Sequence, residues 1–514
     1  MRSLMCILIS GLLASAAWAQ KPDGPYVMDE VLVKFKEGTS SAMAEQALAR
    51  TGSAAIEPLG KTRWKRVKIG GKQSIDSAIA ELGRQHEIEF VQPNFYYRLA
   101  ATPNDTLWPD PGMYGMPKIS APAAWDLTTG SSEVVVANID TGMRYTHEDL
   151  AANMWANPGE VPGNGIDDDG NGFADDVYGY DFFFNDPDPL DEHGHGTHVG
   201  GIIGAVGNNS KGVAGVNWNV RIMAIKIYDS DGFGTTSAML VNAYDYLRMM
   251  KLRGINIRVT NNSYSGCTEA CGFDQATKDG IDAMGDAGIL NVFAAGNDGW
   301  NNDTAAAPAY PAAFTSPSIL AVAASTSTDA RAGFSNWGAV GVDIAAPGSG
   351  VLSTTFSTDS SYGNLSGTSM AAPHVTGAAA LLAAYDPSLS AQSIKATLLN
   401  TADPLTGWEA TPIRTNGRLN VFNALQNKTV CGFGLSTNEI FPITKGGYYF
   451  VDVTAPQNCD FAVRSNDRWL RIEGVDHRSG SARVRFRLGV NPRISRSGTL
   501  TIAGQTVTVI QSRM

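Results

Sequence analysis

The sequence predicts an α/β body with a parallel sheet flanked by helices, preceded by a ferredoxin-like α+β unit and followed by an all-β, immunoglobulin-like sandwich. Three observations lead there. Between about residues 105 and 425, short apolar runs at 134–138, 221–227, 257–261, 289–294 and 319–324 alternate with amphipathic helical stretches. Runs too apolar to keep an exposed face belong in a parallel sheet covered by helices on both sides. Residues 31–97 read strand, helix, strand, strand, helix, strand, with Val31-Leu32-Val33-Lys34-Phe35 alternating and helices at 42–50 and 75–83. That is the order of a split-βαβ unit. After Lys428 the period changes to two, as in Tyr449-Phe450-Val451-Asp452-Val453, 482–488 and 499–509, with Gly or Asn turns between. Such alternation predicts strands with one buried face. Several cores are needed in any case, because 514 residues exceed the roughly 250 to 300 that one core serves.

The chain opens Met1-Arg2-Ser3, runs apolar through residues 4–17 and reaches Ala17-Trp18-Ala19 before Gln20. This is the layout of a cleaved signal peptide, residues 1–19, and implies export to the medium or the periplasm. The apolar run is shorter than the ~20 residues of a spanning helix and no later segment qualifies, so no membrane span is expected. Cys6 would leave with the signal. The remaining cysteines fall into two local sets, Cys267 with Cys271 and Cys431 with Cys459, and an even number in an exported chain favours two disulfides. Zinc would need a CxxC pair or nearby histidines, which are lacking. Net charge is about +2 over residues 20–100, about −20 over 101–427 and about +6 over 428–514, which with Arg2 gives the whole-chain −11. An acidic body argues against nucleic-acid binding, which uses Lys and Arg against phosphates, and suits a protein that holds cations.

Three segments carry the chemistry: Ile139-Asp140-Thr141-Gly142 at a strand end, His195-Gly196-Thr197-His198-Val199 opening a helix, and Gly367-Thr368-Ser369-Met370-Ala371-Ala372-Pro373 opening another. Each puts a reactive group at the carboxyl side of a parallel sheet, where α/β sites form. Serine is a poor nucleophile until an imidazole takes its proton, and the imidazole needs a carboxylate to fix its tautomer and stabilise its charged form. Asp140, His195 and Ser369 fill those roles in that order. His193, His198 and His374 compete for the base. His374 follows Ser369 by five residues on one helix, about 140° around the axis, so it faces away from the hydroxyl.

Order and flanks together resemble the subtilisin family over about residues 105–402, with Gly-Thr-Ser-Met-Ala-Ala-Pro the most specific of the three motifs. The resemblance implies a serine endopeptidase acting on protein and peptide substrates, with the base at His195. Ala294-Ala295-Gly296-Asn297 resembles the family's oxyanion segment, which makes the Asn297 amide and the Ser369 N–H the donors to the developing charge. Gly232-Phe233-Gly234 and Ser263-Tyr264-Ser265-Gly266 match the segments between which the family binds an extended substrate. No acidic cluster marks the pocket wall, so a broad apolar or aromatic preference is expected, with Cys267 and Cys271 beside that wall reshaping it.

Between Asn164 and Asp176, oxygen ligands recur at alternate positions, Asp167, Asp169, Asn171 and then Asp175. The run matches the first half of an EF-hand loop, except that Tyr178 stands where the closing Glu belongs. Structural calcium is the expected ion. A second calcium site is implied by resemblance to thermitase-like members, from Asp105, Asp149 and Asn209 with carbonyls near Gly207, Lys211 and Val213. Residues 20–101 resemble the family's prosegment, folding template and inhibitor in one, closing with Glu89-Phe90-Val91-Gln92-Pro93-Asn94. A catalytic domain is then expected over 102–427. The tail, 428–514, resembles the BACON type of immunoglobulin-like module through Asp467-Arg468-Trp469-Leu470 and Arg496-Ser497-Gly498-Thr499, which implies either a glycan partner or a spacer. A non-enzymatic adhesion protein on a dead protease scaffold would show a lost triad member, and none is lost. A dedicated processing protease would differ in selectivity on a peptide library.

Overall fold

The computed structural model describes residues 26–70, 73–95, 102–265, 273–304, 308–442, 446–474, 477–491 and 495–512. The expected signal peptide and the Cys267/Cys271 loop lie outside them. The chain divides into two units, Met1–Leu99 and Ala100–Met514.

In the first unit four antiparallel strands run in the order Ala54–Pro58, Trp64–Lys68, Tyr26–Phe35, Ile88–Phe95, with helices Ser41–Ala49 and Ile75–Leu82. Both helices start on a serine cap, Ser40 and Ser74, whose hydroxyls accept from Met43 N and Ser77 N and satisfy first-turn donors. Val31, Val33, Phe35, Leu48, Val67 and Leu82 form its core. The strand Ala54–Pro58 is exposed at all five positions, so its sequence has no buried period to reveal it.

The second unit is built on a nine-stranded sheet. Its order is Asp403–Pro404, Gly417–Arg418, Ile344–Pro347, Ile319–Ser325, Leu290–Ala294, Ile257–Asn262, Gly130–Asp140, Asn219–Lys226, Gly179–Asp181. Every pairing is parallel except that of the two-residue edge strand Asp403–Pro404. Alternate residues of Gly130–Asp140 feed opposite cores. Val134 and Val136 pack with helices His195–Gly204 and Thr368–Tyr385, while Val135, Ala137 and Ile139 pack with Ser237–Leu252 and Gln275–Asp286. Helix Thr368–Tyr385 is buried along nearly its whole length and is therefore apolar all round rather than amphipathic. At Gly377 an added Cβ would lie 2.6 Å from Val216 Cβ, so a side chain there would force the helix away from the buried segment that leads into strand Asn219–Lys226.

The C-terminal residues form the expected sandwich. One sheet orders Gly434–Leu435, Gly447–Thr454, Ala482–Leu488, Leu470–Ile472, and the other Glu439–Ile440, Gln505–Gln511, Arg496–Ile502, Asp460–Ser465, His477–Ser479. Val451, Val453, Phe461, Val484, Phe486, Leu500 and Val507 fill the space between them. Cys431 and Cys459 are disulfide-bonded.

Candidate active site

Asp140, His195, Asn297 and Ser369 all stand at the carboxyl side of the parallel sheet. Asp140 is the last residue of its strand and is 2% exposed. Its Oδ1 accepts from Thr141 N at 2.8 Å and lies 2.7 Å from His195 Nδ1. His195 is the first residue of its helix, entered through Gly194 at φ +102°. A Cβ at Gly194 would lie 2.3 Å from the Phe356 ring, and one at Gly196 would lie 2.2 Å from Gly142 O, so both glycines are required for helix and aspartate to meet. Asp191 organises this entry: Oδ1 accepts from Gly194 N and Thr141 Oγ1, and Oδ2 from Thr197 N and Thr197 Oγ1. Burial depresses the His195 imidazole, but the Asp140 charge, its hydrogen bond and the more distant Asp191 charge outweigh that and leave its pKa above the ordinary 6.5.

Ser369 is in the first turn of its helix, where N–H groups have no intrahelical acceptor. Its hydroxyl donates to Ser263 O at 3.1 Å, and Ser263 Oγ donates in return to Ser369 O at 2.9 Å. Pro373, inside the helix, explains why that carbonyl is available: it has no N–H to offer four residues back. Asn297 Oδ1 accepts from Thr368 N at 2.8 Å and Thr368 Oγ1 at 2.9 Å. Because a backbone N–H can only donate, the amide orientation is fixed with oxygen toward Thr368. His193, His195, Asn297, Phe356, Leu365 and Ser369 line one cavity of about 480 Å³.

The expected substrate-binding residues flank the cleft unequally. Phe233 is 77% exposed between Gly232 and Gly234, both at positive φ, and Gly232 abuts the His193 ring. Ser265 is exposed, whereas the Tyr264 ring packs in the core, its hydroxyl bonded to Asn262 Oδ1 and Tyr244 OH. Tyr264 thus has its backbone, not its side chain, for a ligand. His198 and His374 are buried, which holds both near pKa 4, and the His374 Nδ1 is bonded to Met370 O.

The acidic loop folds differently from the expected half EF-hand. Asp167 spends its oxygens on Asn171 N and Gly172 N, and Asp175 spends its own on Gly163 N, Asn164 N and Gly165 N. Among the described residues the converging carboxylates are instead Glu160, Asp169 and Asp176, with ligand atoms within 4.8 Å of one another. The Asn171 amide donates to Asp169 and Asp176. Burial, with the Asp169 charge added, drives Asp176 up to about 6 against the pull of its hydrogen bonds. Three crowded oxygen donors with one carboxyl raised fit a hard cation. At the second expected site Asp105 and Asp149 are buried; Asn209 Nδ2 donates to Asp149 Oδ1 at 2.8 Å and Asn208 N to Asp105 Oδ2 at 2.7 Å. That oxygen set also fits calcium.

Asp191, Thr368, Glu160 and Asp176 were not singled out by sequence reasoning. Asp191 was findable as a short acidic side chain ahead of a helix start. Glu160 was not, since it stands nine positions before Asp169, outside the run of alternating ligands.

A family profile described as the subtilase family matches residues 131–434, and one described as the fervidolysin N-terminal prodomain matches residues 13–94. The chain belongs to the subtilase family of serine proteases and carries a prodomain. It is similar to a thermophilic serine proteinase of Bacillus sp. (strain AK1), 34% identical over 78% of this chain and 88% of that one. Thermitase of Thermoactinomyces vulgaris is 38% identical over 63% of this chain and 99% of its own. An extracellular protease of Xanthomonas campestris pv. campestris is 31% identical, over 73% of this chain and 69% of its own. Among solved structures, a cold adapted subtilisin-like serine proteinase is 30% identical, covering 57% of this chain and 91% of that one, with a TM-score of 0.45. Among the described residues no helix is long and apolar enough to cross a membrane.

Proposed function

We propose that this subtilase is exported as a precursor and cleaves its substrates through Asp140, His195 and Ser369, with Asn297 as an oxyanion donor. Residues 1–19 are the signal peptide, 20–101 the inhibitory prosegment, 102–427 the catalytic domain and 428–514 an appended module. The observation that carries this reading is the 2.7 Å pairing of His195 Nδ1 with Asp140 Oδ1 beside a cavity shared by His195, Asn297 and Ser369.

In the free enzyme the Ser369 hydroxyl rests on Ser263 O, and catalytic hydrogen bonds commonly form only when substrate is present. Ser369 Oγ attacks the scissile carbonyl carbon while its proton passes to His195 Nε2. Asp140 holds the imidazole with Nδ1–H inward and stabilises the imidazolium that results. The carbonyl oxygen, now charged, is met by Asn297 Nδ2 and by the Ser369 N–H at the positive end of a helix. Collapse breaks the C–N bond, and His195 delivers the proton to the leaving amine. Water then repeats the sequence on the acyl-enzyme. Calcium, when bound by Asp105, Asp149 and Asn209, or by Glu160, Asp169 and Asp176, would supply stability to the segments that carry those residues.

The test is Ser369→Ala. Expressed in a host lacking other extracellular proteases, it should be recovered at precursor length, uncut near Ala100, and should leave casein intact. Recovery of the mature form from that variant would refute self-processing by this site.

A further inference from the structure

The module meets the catalytic body at the amino ends of the parallel strands. Asp460 pairs with Lys395, whose ammonium also donates to Ile319 O at the start of a strand, and Arg464 pairs with Asp286 at the end of the helix preceding Leu290–Ala294. Asp140, Asn297 and Ser369 stand at the other pole, beyond the carboxyl ends. The strand Asp460–Ser465 that makes this junction belongs to the five-stranded sheet. The four-stranded sheet therefore turns its outer face away from the cleft.

That outer face is cationic and aromatic. On strand Ala482–Leu488 the inward residues are Val484, Phe486 and Leu488, and the exposed ones are Arg483, Arg485 and Arg487. On strand Gly447–Thr454 the matching outward residues are Tyr448 and Phe450, 52% and 49% exposed. The register sets Arg487 between Arg471 and Tyr448, and Arg485 opposite Phe450. Arg485 and Arg487 lie over the Tyr448 ring, at 5.1 and 5.8 Å from its centroid, and Arg483 lies 5.6 Å from that of Phe450. Guanidinium groups seated on rings are held in place with their N–H edges outward. Arg483 is satisfied by Asp452, and Arg485 reaches Glu473 at 4.0 Å. Arg471 and Arg487 are direct cross-strand neighbours, and among the described residues neither has an ion-pair partner. Like charges so placed destabilise a sheet, a cost that an external anion removes.

We propose that this face docks an acidic protein segment in extended conformation and so anchors the protease to carboxylate-rich proteins with its cleft open. Arg471 and Arg487 stand side by side on adjacent strands about 4.8 Å apart, and their long side chains reach carboxylates at the ~7 Å spacing of alternate residues in an extended acidic chain. The Arg471 and Arg487 guanidinium forks can each donate to one carboxylate in bidentate fashion. The aromatic faces are already covered by guanidinium groups, which favours oxyanion pairing over ring stacking. The acidic body, about −20 over residues 101–427, repels such a segment and confines it to the module.

The experiment uses full-length Ser369→Ala protein and a fluorescent peptide of alternating Glu and Thr, roughly twelve residues long, enough to cross the face at about 3.4 Å per residue. Binding should weaken as salt rises from about 0.05 to about 0.5 M. The double variant Arg471→Gln/Arg487→Gln should lose at least about tenfold in affinity, and Arg471→Lys/Arg487→Lys should fall between, since lysine keeps charge without the fork. An alternating Gln and Thr peptide should not bind. The double Gln variant with Ser369 intact should melt no lower than its parent, since it loses a like-charge pair, and should keep its turnover of a short neutral peptide. Absence of binding at low salt, equal binding by the double Gln variant, or tighter retention of a polyuronate or single-stranded DNA than of the acidic peptide would each overturn the proposal.

Discussion

Arg414 Nη2 lies 2.9 Å from Asp460 Oδ1, joining the catalytic body to the C-terminal module through a carboxylate that is fully buried. Lys395 Nζ lies 2.7 Å from the other oxygen, and Arg414 also reaches Asp343 at 3.0 Å, Asn458 and Ser479. Asp460 thus neutralises two cations that the body alone shares with Asp343. The Cys431–Cys459 bond closes next to it, a crosslink spanning 28 residues and worth about 3 to 4 kcal/mol.

Asp460→Asn keeps the shape and removes the charge. Breaking one side of a buried ion network costs about 3 to 5 kcal/mol, so the denaturant midpoint should drop sharply. Initial rates on a short peptide should not change, because the junction is at the pole opposite Ser369. Deleting residues 428–514 should act in the same sense: turnover kept, stability lost. An Asp460→Asn enzyme as stable as its parent would show the network to be dispensable.

The second prediction concerns pH. As the proposed base, His195 serves only when neutral, and the Asp140 pairing raises its pKa above 6.5 despite burial. A raised pKa means protonation persists to higher pH, so kcat/KM should fall as pH drops through a value above 6.5. Asp140→Asn removes the charge that holds the imidazolium; kcat should fall about 10⁴-fold, as the same change does in a Ser-His-Asp triad. A parent profile with its acid limb below 6.5 would contradict the pairing as described.

Much of this was legible beforehand because it is local. The five core strands show themselves as apolar runs, and Asp140, His195 and Ser369 each sit in a contiguous motif at a strand or helix end. What could not be read lies in long-range geometry. The strands Asp403–Pro404 and Gly417–Arg418 are two residues each, too short for any period. Asp167 and Asp175 have the ligand spacing of an ion loop, yet local N–H groups take their oxygens first, as short acidic side chains in tight turns do. Glu160 and Asp176 enter the cluster only because the chain doubles back. The Asp460 junction joins residues far apart in sequence, and charge alone gave no sign of it.

The third prediction isolates the oxyanion donor. Asn297→Ala should lower kcat about 10²- to 10³-fold with little change in KM, since the amide is needed where charge appears in the transition state. Thr368→Val keeps the backbone bond to Asn297 Oδ1 and loses the hydroxyl bond. The amide then keeps its orientation with one restraint fewer, and kcat should fall about tenfold or less. If Asn297→Ala raised KM and left kcat alone, Asn297 would be a ground-state contact.

The last prediction is that calcium governs survival rather than chemistry. Asp105 and Asp149 are buried with Asn209 donating to both, and Glu160, Asp169 and Asp176 crowd three carboxylates into one space. Neither group touches His195 or Ser369. A ligand bound only by the native state adds RT ln(1 + [L]/Kd), about 2.7 kcal/mol at a hundredfold excess over Kd. A protease that opens locally is cut by its neighbours, so this energy reads out as lifetime. Heating the Ser369→Ala chain, which cannot digest itself, should show a melting temperature several degrees lower in chelator than in calcium. Asp149→Asn and Asp169→Asn should each shrink that difference. Asp175→Asn should not, because its oxygens serve the turn at Gly163 to Gly165. In the active enzyme, residual activity at raised temperature should decay steeply after chelation while rates taken immediately after mixing stay unchanged. Identical melting with and without calcium would remove the structural ion, and an instant loss of rate with unaltered melting would transfer it to the catalytic step.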